Sequence, residues 1–186
     1  MLFYPEEKTI ILIDGMSLYS SAKASGQTVD YRSILEYFKE TVTLMRGIFY
    51  TPSDESVDHN PIKPLIDFLS YNGYQVKTRT YKDTVNGPRM NRPRMDVDLA
   101  VDAMEMAPHV DHIVIASGKG DFVSLVHALQ RQGVKVTIMT VLDPADGSQT
   151  PTSAGISDEL RRVADQVIPL TMIKNALKAF DSEPRA

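Results

Sequence analysis

Six strand-like segments recur along the chain, and between them the apolar residues change to helical spacing. Thr9-Ile10-Ile11-Leu12-Ile13 is a continuous apolar run, the pattern of a strand in the middle of a parallel sheet. Asp14-Gly15 ends it, and Met16 to Ala24 reads as a short helix stopped near Gly26. Asp30 is placed to cap a second helix whose apolar face is Ile34, Leu35, Tyr37, Phe38 and Val42. Leu44 to Tyr50 predicts the second strand, and Pro52 to Asn60 a polar loop. From Pro61, Ile62, Leu65, Ile66, Phe68 and Leu69 predict a helix closed by Gly73, and Tyr74 to Tyr81 alternates as a third strand. Met95 to Ala107 predicts a helix apolar on most sides, and therefore buried.

The fourth strand, Ile113-Val114-Ile115-Ala116, runs into the turn Ser117-Gly118-Lys119-Gly120-Asp121. Phe122, Leu125, Val126 and Leu129 then recur at helical spacing up to Gly133. Val134 to Met139 is a fifth strand, Ser157 could cap a helix through Ala164, and Val167-Ile168-Pro169-Leu170 reads as an edge strand, where proline is tolerated. Thr171 to Phe180 reads as a final helix before a frayed tail. Strands alternating with helices are the signature of a three-layer α/β domain around a mostly parallel sheet of about five to six strands. The expectation is one domain over residues 1–186, with a core of about 8–172 and short flexible tails.

Composition narrows the class. Hydrophobic content of 42% and charged content of 24% are globular values, and a net charge of −4 excludes a basic coat over the whole surface. The absence of cysteine removes disulfides, thiolate zinc sites and cysteine nucleophiles together. No secretory signal is visible at the N-terminus, and no run approaches the roughly 18 to 20 apolar residues of a membrane span. A cytoplasmic protein is expected, with no membrane partner.

Charge is distributed unevenly. Lys77, Arg79, Lys82, Arg89, Arg92 and Arg94 are opposed by Asp83 alone. Asp14 follows the first strand and Asp121 the fourth, so in a doubly wound sheet the two can meet at one carboxyl edge. Asp98 and Asp102 lie four residues apart on one helix face, and Asp96 opens that helix. Acids on one stripe of an apolar helix repel, and a hard divalent cation removes the conflict. Each piece also has an ordinary reading: turn chemistry for Asp14, a solvated stripe for Asp98 and Asp102, a helix cap for Asp121, a solvated loop for Arg89, Arg92 and Arg94. His109, His112 and His127 lack zinc-ligand spacing and read as structural or surface residues. The Gly-x-Gly-x-x-Gly dinucleotide fingerprint does not follow the first strand.

Four segments together resemble the NYN domain family, in particular its bacterial LabA-like branch, which groups with the PIN-like ribonucleases. They are Ile11 to Tyr19, Met95 to Asp102, Ser117 to Phe122 and Ser157 to Asp165. The resemblance implies a Rossmann-like PIN fold, a Mg²⁺ or Mn²⁺ site lined by acids, and hydrolysis of single-stranded RNA. Carried over residue by residue, it puts Asp14, Asp96 and Asp121 on the family's recurrent acidic positions and Asp98 and Asp102 in the same motif, so Asp14, Asp96 or Asp98, and Asp121 are the catalytic and metal-binding candidates, with Asp102 as an outer-shell acid. Ser17 falls where the family commonly has a small polar residue, and Arg89, Arg92, Arg94 and Lys119 are candidate contacts to RNA. One departure matters: the family's third motif usually reads Ser-Gly-Asp-x-Asp-Phe, and Lys119 stands here in place of the first aspartate. The alternative expectation is therefore a catalytically weakened or inactive module that binds RNA or protein. A homodimer is left open.

Overall fold

The computed structural model describes residues 3–54, 62–81, 93–141 and 155–179. Strands β1 (Lys8–Asp14), β3 (Thr43–Asp54), β4 (Gln75–Tyr81), β5 (His112–Ala116), β6 (Lys135–Thr140) and β7 (Gln166–Pro169) form one sheet in the order β4-β3-β1-β5-β6-β7. Every pairing in it is parallel. The chain builds outward from β1 through β3 to β4, crosses to β5 on β1's other side, and then builds away through β6 and β7. The direction of winding reverses between β1 and β5, and in open α/β sheets ligands bind at the carboxyl ends beside such a reversal.

Alternation along β1 explains the layers. Ile11 and Ile13 point into a core with Leu18 and Ala22 of α1 (Gly15–Ala24), Ile34, Leu35 and Phe38 of α2 (Tyr31–Thr41), and Leu69 of α3 (Lys63–Tyr71). Ile10 and Leu12 point to the opposite face, against Leu99 and Ala103 of α4 (Asp96–Met106), Leu125, Val126 and Leu129 of α5 (Val123–Arg131), and Leu160 of α6 (Asp158–Val163). A strand buried on both faces must be apolar at consecutive positions, which is why β1 shows no polar alternation. The expected three-layer α/β architecture is thus observed, with a six-stranded sheet.

Several local expectations hold. Asp30 caps α2 by accepting from the Ser33 amide at 3.2 Å, and Ser157 caps α6 by accepting from the Leu160 amide at 3.2 Å. Pro169 lies on the edge strand β7. Three expectations are corrected. The segment after Pro169 is not a helix. It makes a 3-10 turn at Leu170–Met172 and then β8 (Leu177–Ala179), which pairs antiparallel with the unforeseen three-residue strand β2 (Gln27–Val29). Strand β3 continues through Pro52 to Asp54, because β4 pairs alongside it to the end. Helix α4 is not buried all round: Val97, Val101 and Met104 are 67%, 49% and 37% exposed. They form an outward stripe at helical spacing, while Leu99 and Ala103 face the sheet. Among the described residues no helix is long and apolar enough to cross a membrane.

Candidate functional site

The β1–α1 junction is tight for a physical reason. A side chain at Gly15 would begin 2.4 Å from the Phe49 ring, so only glycine lets the chain turn there. The turn brings Asp14 over the start of α1, where its Oδ1 accepts from the Ser17 amide at 3.1 Å. The carboxylate is nearly buried, 4% exposed. From the end of the adjacent strand β5, the buried Ser117 places its Oγ 3.2 Å from Asp14 Oδ2 and 3.2 Å from Ser17 Oγ, and accepts from the Lys119 amide at 3.3 Å. In the sequence Ser117 stands only as the first residue of the third matched segment, at the end of an apolar strand, and neither position gave it a role.

Lys119 decides the electrostatics. Its ammonium lies 2.7 Å from Asp14 Oδ2 and 2.8 Å from Asp96 Oδ1, joining the end of β1 to the start of α4. Burial disfavours the charged form, but hydrogen bonds and charge from both carboxylates outweigh it and raise the lysine's pKa above its ordinary value. Arg94 continues the chain of charges. Its Nε donates to Asp96 Oδ2 at 2.8 Å, and a terminal nitrogen reaches Asp121 Oδ2 at 2.5 Å. Asp121 sits in a 3-10 turn (Gly120–Phe122) and makes no side-chain cap to α5, so the ordinary reading of it as a helix cap is not what the structure shows.

Asp98 and Asp102 point elsewhere. Asp102 Oδ2 accepts from the Tyr50 hydroxyl at 2.6 Å and its Oδ1 lies 2.7 Å from the Lys77 ammonium. Burial, followed by the Asp102 hydrogen bond and charge, pushes the Tyr50 hydroxyl far above its ordinary pKa, so it is a permanent donor. Asp98 Oδ2 has Arg79 Nε at 3.1 Å, close enough for charge attraction. The guanidinium is not aligned for a hydrogen bond, and that buried oxygen accepts none. The repulsion expected along this helix stripe is thus relieved by Lys77 and Arg79 of β4. Ser17, Arg94 and Lys119 are brought together with Asp14, Asp96 and Asp121, whereas Arg89 and Arg92 lie outside the described residues.

Comparison with known proteins bears on the family and the fold. The model of the NYN domain matches residues 8–171. The chain belongs to the NYN domain family. That family groups with the PIN-like ribonucleases, so a nuclease-type scaffold carries the site. The low amplitude and bright protein LabA of Synechococcus elongatus is 27% identical over 184 residues, covering 96% of this chain and 91% of that protein. A Vibrio parahaemolyticus protein of unknown function superposes with a TM-score of 0.72 at 24% identity, covering 96% of this chain and all of that one, a likeness of fold.

The donors are of the right chemical kind for the cation that the NYN resemblance implies, since Mg²⁺ and Mn²⁺ take carboxylate oxygens. Their arrangement does not fit one. Lys119 and Arg94 already engage Asp14, Asp96 and Asp121, and among the described residues no three acids or histidines are grouped to hold a metal.

Proposed function

We propose that this NYN protein binds single-stranded RNA at the carboxyl edge of β1 and β5. In this reading Lys119 holds the place that the resemblance gives to a divalent cation, so the strand is gripped with little or no hydrolysis. The observation that carries the reading is the ammonium between Asp14 and Asp96, at 2.7 and 2.8 Å. A tethered cation offsets the acids without offering the open coordination positions through which a bound ion activates water. Lys119 and Arg94 together cancel two of the three carboxylate charges, which weakens the edge's repulsion of phosphate. Arg79, 55% exposed at its side chain, offers a forked donor to it, Arg94, 65% exposed, has N–H groups left over from its bonds to Asp96 and Asp121, and the sequence places Arg89 and Arg92 just before Arg94. The cytoplasm is the compartment proposed, in keeping with RNA as partner and a chain without cysteine.

A second reading, a Mg²⁺- or Mn²⁺-dependent ribonuclease, is favoured by the shared cations that link Asp14 to Asp96 and Asp96 to Asp121. It requires both Lys119 and Arg94 to leave the acids and the acids to draw together around the ion.

One experiment separates the two. Labelled single-stranded RNA is incubated with wild type, Asp14→Asn and Lys119→Asp, with and without Mn²⁺. Asn keeps the oxygen that caps α1, so the first variant retains its fold. The binding reading expects intact RNA with wild type and Mn²⁺-dependent cleavage only with Lys119→Asp. Cleavage by wild type that disappears in Asp14→Asn would overturn it in favour of the ribonuclease.

A further inference from the structure

The fourth matched segment, opening with Ser157-Asp158, has no part in the acid cluster. The structure nevertheless presses it against the turn that carries Lys119. The Ser157 amide donates to the Gly118 carbonyl at 2.8 Å, and a Cβ on Gly118 would stand 1.5 Å from the Gly155 carbonyl oxygen. The Thr140 hydroxyl donates to that same oxygen at 2.6 Å, and Gly155 adopts a φ of +117°, which L side chains rarely tolerate. Backbone against backbone, two glycines fix the α6 entry segment beside the site.

Beside this clamp lies an open pocket of about 480 Å³, whose lining includes Ser17, Ser21, Ser157, Lys119 and Asp158 together with Ile156 and the two glycines. Its size is in the range of small-ligand pockets. Its chemistry excludes two kinds of guest. No aromatic ring lines it, so it is not a stacking platform for a base. An aspartate at its rim opposes a densely charged phosphate chain. Hydroxyls with one carboxylate, and an ammonium already paired with Asp14 and Asp96, match a neutral, polyhydroxylic guest, and an acid accepting a ribose hydroxyl is a well-used arrangement. Among the described residues the exposed Asp158 side chain has no hydrogen-bond or ion-pair partner. Ser157 Oγ accepts from the Leu160 amide and keeps its own proton to donate. Ser17 and Lys119 belong both to this pocket and to the acid cluster, which makes the two continuous.

We propose that this pocket holds the ribose of a bound nucleotide, with Asp158 accepting the 2′-hydroxyl, and that Asp158 thereby selects RNA over DNA. The inference rests on the RNA-binding reading above. The 2′-hydroxyl is the group by which a protein tells the two polymers apart.

The test is fluorescence anisotropy in EDTA with one sequence made as RNA, as DNA and as 2′-O-methyl RNA, titrated with wild type, Asp158→Ala and Asp158→Asn. Wild type is expected to prefer RNA to both analogues. Asp158→Ala should weaken RNA binding about tenfold, the scale of one charge-assisted hydrogen bond, and leave DNA binding unchanged. Asp158→Asn, which keeps an acceptor oxygen, should fall between. An RNA preference undiminished in Asp158→Ala overturns the inference, as does a wild type that binds RNA and DNA equally, and in both cases the RNA-binding reading stands. A wild type that binds no RNA overturns both.

Discussion

At the scale of single residues, the site depends on two glycines as much as on its charges. Gly118 and Gly155 cross so closely that any side chain at Gly118 would overlap the Gly155 carbonyl. Replacing Gly118 by alanine must separate the β5 turn from the α6 entry segment, breaking the 2.8 Å bond from the Ser157 amide. The expected loss is about 1–3 kcal/mol, the usual cost of overpacking, read as a lowered urea midpoint. RNA affinity should fall with it, since Lys119 is carried on that turn. The sequence showed the glycine pair around Lys119 and marked the lysine as a departure from its family. It could not show that the ammonium would reach Asp96 as well as Asp14, because that contact spans 23 residues and depends on where α4 begins.

At the scale of the element, α4 sorts three acids that look alike in sequence. Asp96, at its first turn, faces the site, and Asp98 and Asp102 face β4. The four-residue spacing correctly put the latter two on one stripe. It did not reveal what lies opposite, since the strand supplying Lys77 and Arg79 is set by sheet order. Asp102 is accordingly a tie between α4, β3 and β4. Asp102→Ala strands the Tyr50 hydroxyl in the core, which costs about 1–3 kcal/mol for an unsatisfied buried group. Chemical denaturation should show that loss, while RNA affinity measured well below the unfolding transition stays at the wild-type value. A large fall in affinity at unchanged stability would instead place Asp102 in the site. Helix α4 also shows how composition misleads about burial, because its apolar residues divide between a face on the sheet and the exposed stripe of Val97, Val101 and Met104. Strands β2 and β8 were illegible for a related reason. Three residues carry no periodicity, and their pairing joins segments 150 residues apart.

At the scale of the molecule, the six main strands and their mostly parallel sheet followed from alternating apolar runs and helices, and the meeting of Asp14 with the Asp121 turn followed from the doubly wound topology. The opposite, amino end of the same sheet holds a group that no motif advertised. His112 opens β5 fully buried, with Nδ1 3.0 Å from Glu7 Oε2, Nε2 2.7 Å from Thr137 Oγ1, and its ring stacked on Phe3. A neutral ring can satisfy both contacts, donating to Glu7 and accepting from Thr137. Burial lowers the histidine's pKa below 6.5, the charge of Lys135 lowers it further, and Glu7 and Asp165 only partly offset them. The unfolded chain therefore binds the proton more readily than the folded one, and stability must rise with pH across this window. The contribution is complete above about pH 6.5 and is lost as pH falls below it towards the lowered folded value. Melting temperatures recorded from pH 7.5 down to 5.5 should decline, and the decline should be shallower in His112→Gln, which cannot take up the proton. A variant that melts lower than wild type at every pH but with the same slope would mean that His112 contributes packing alone and that other groups carry the acid sensitivity.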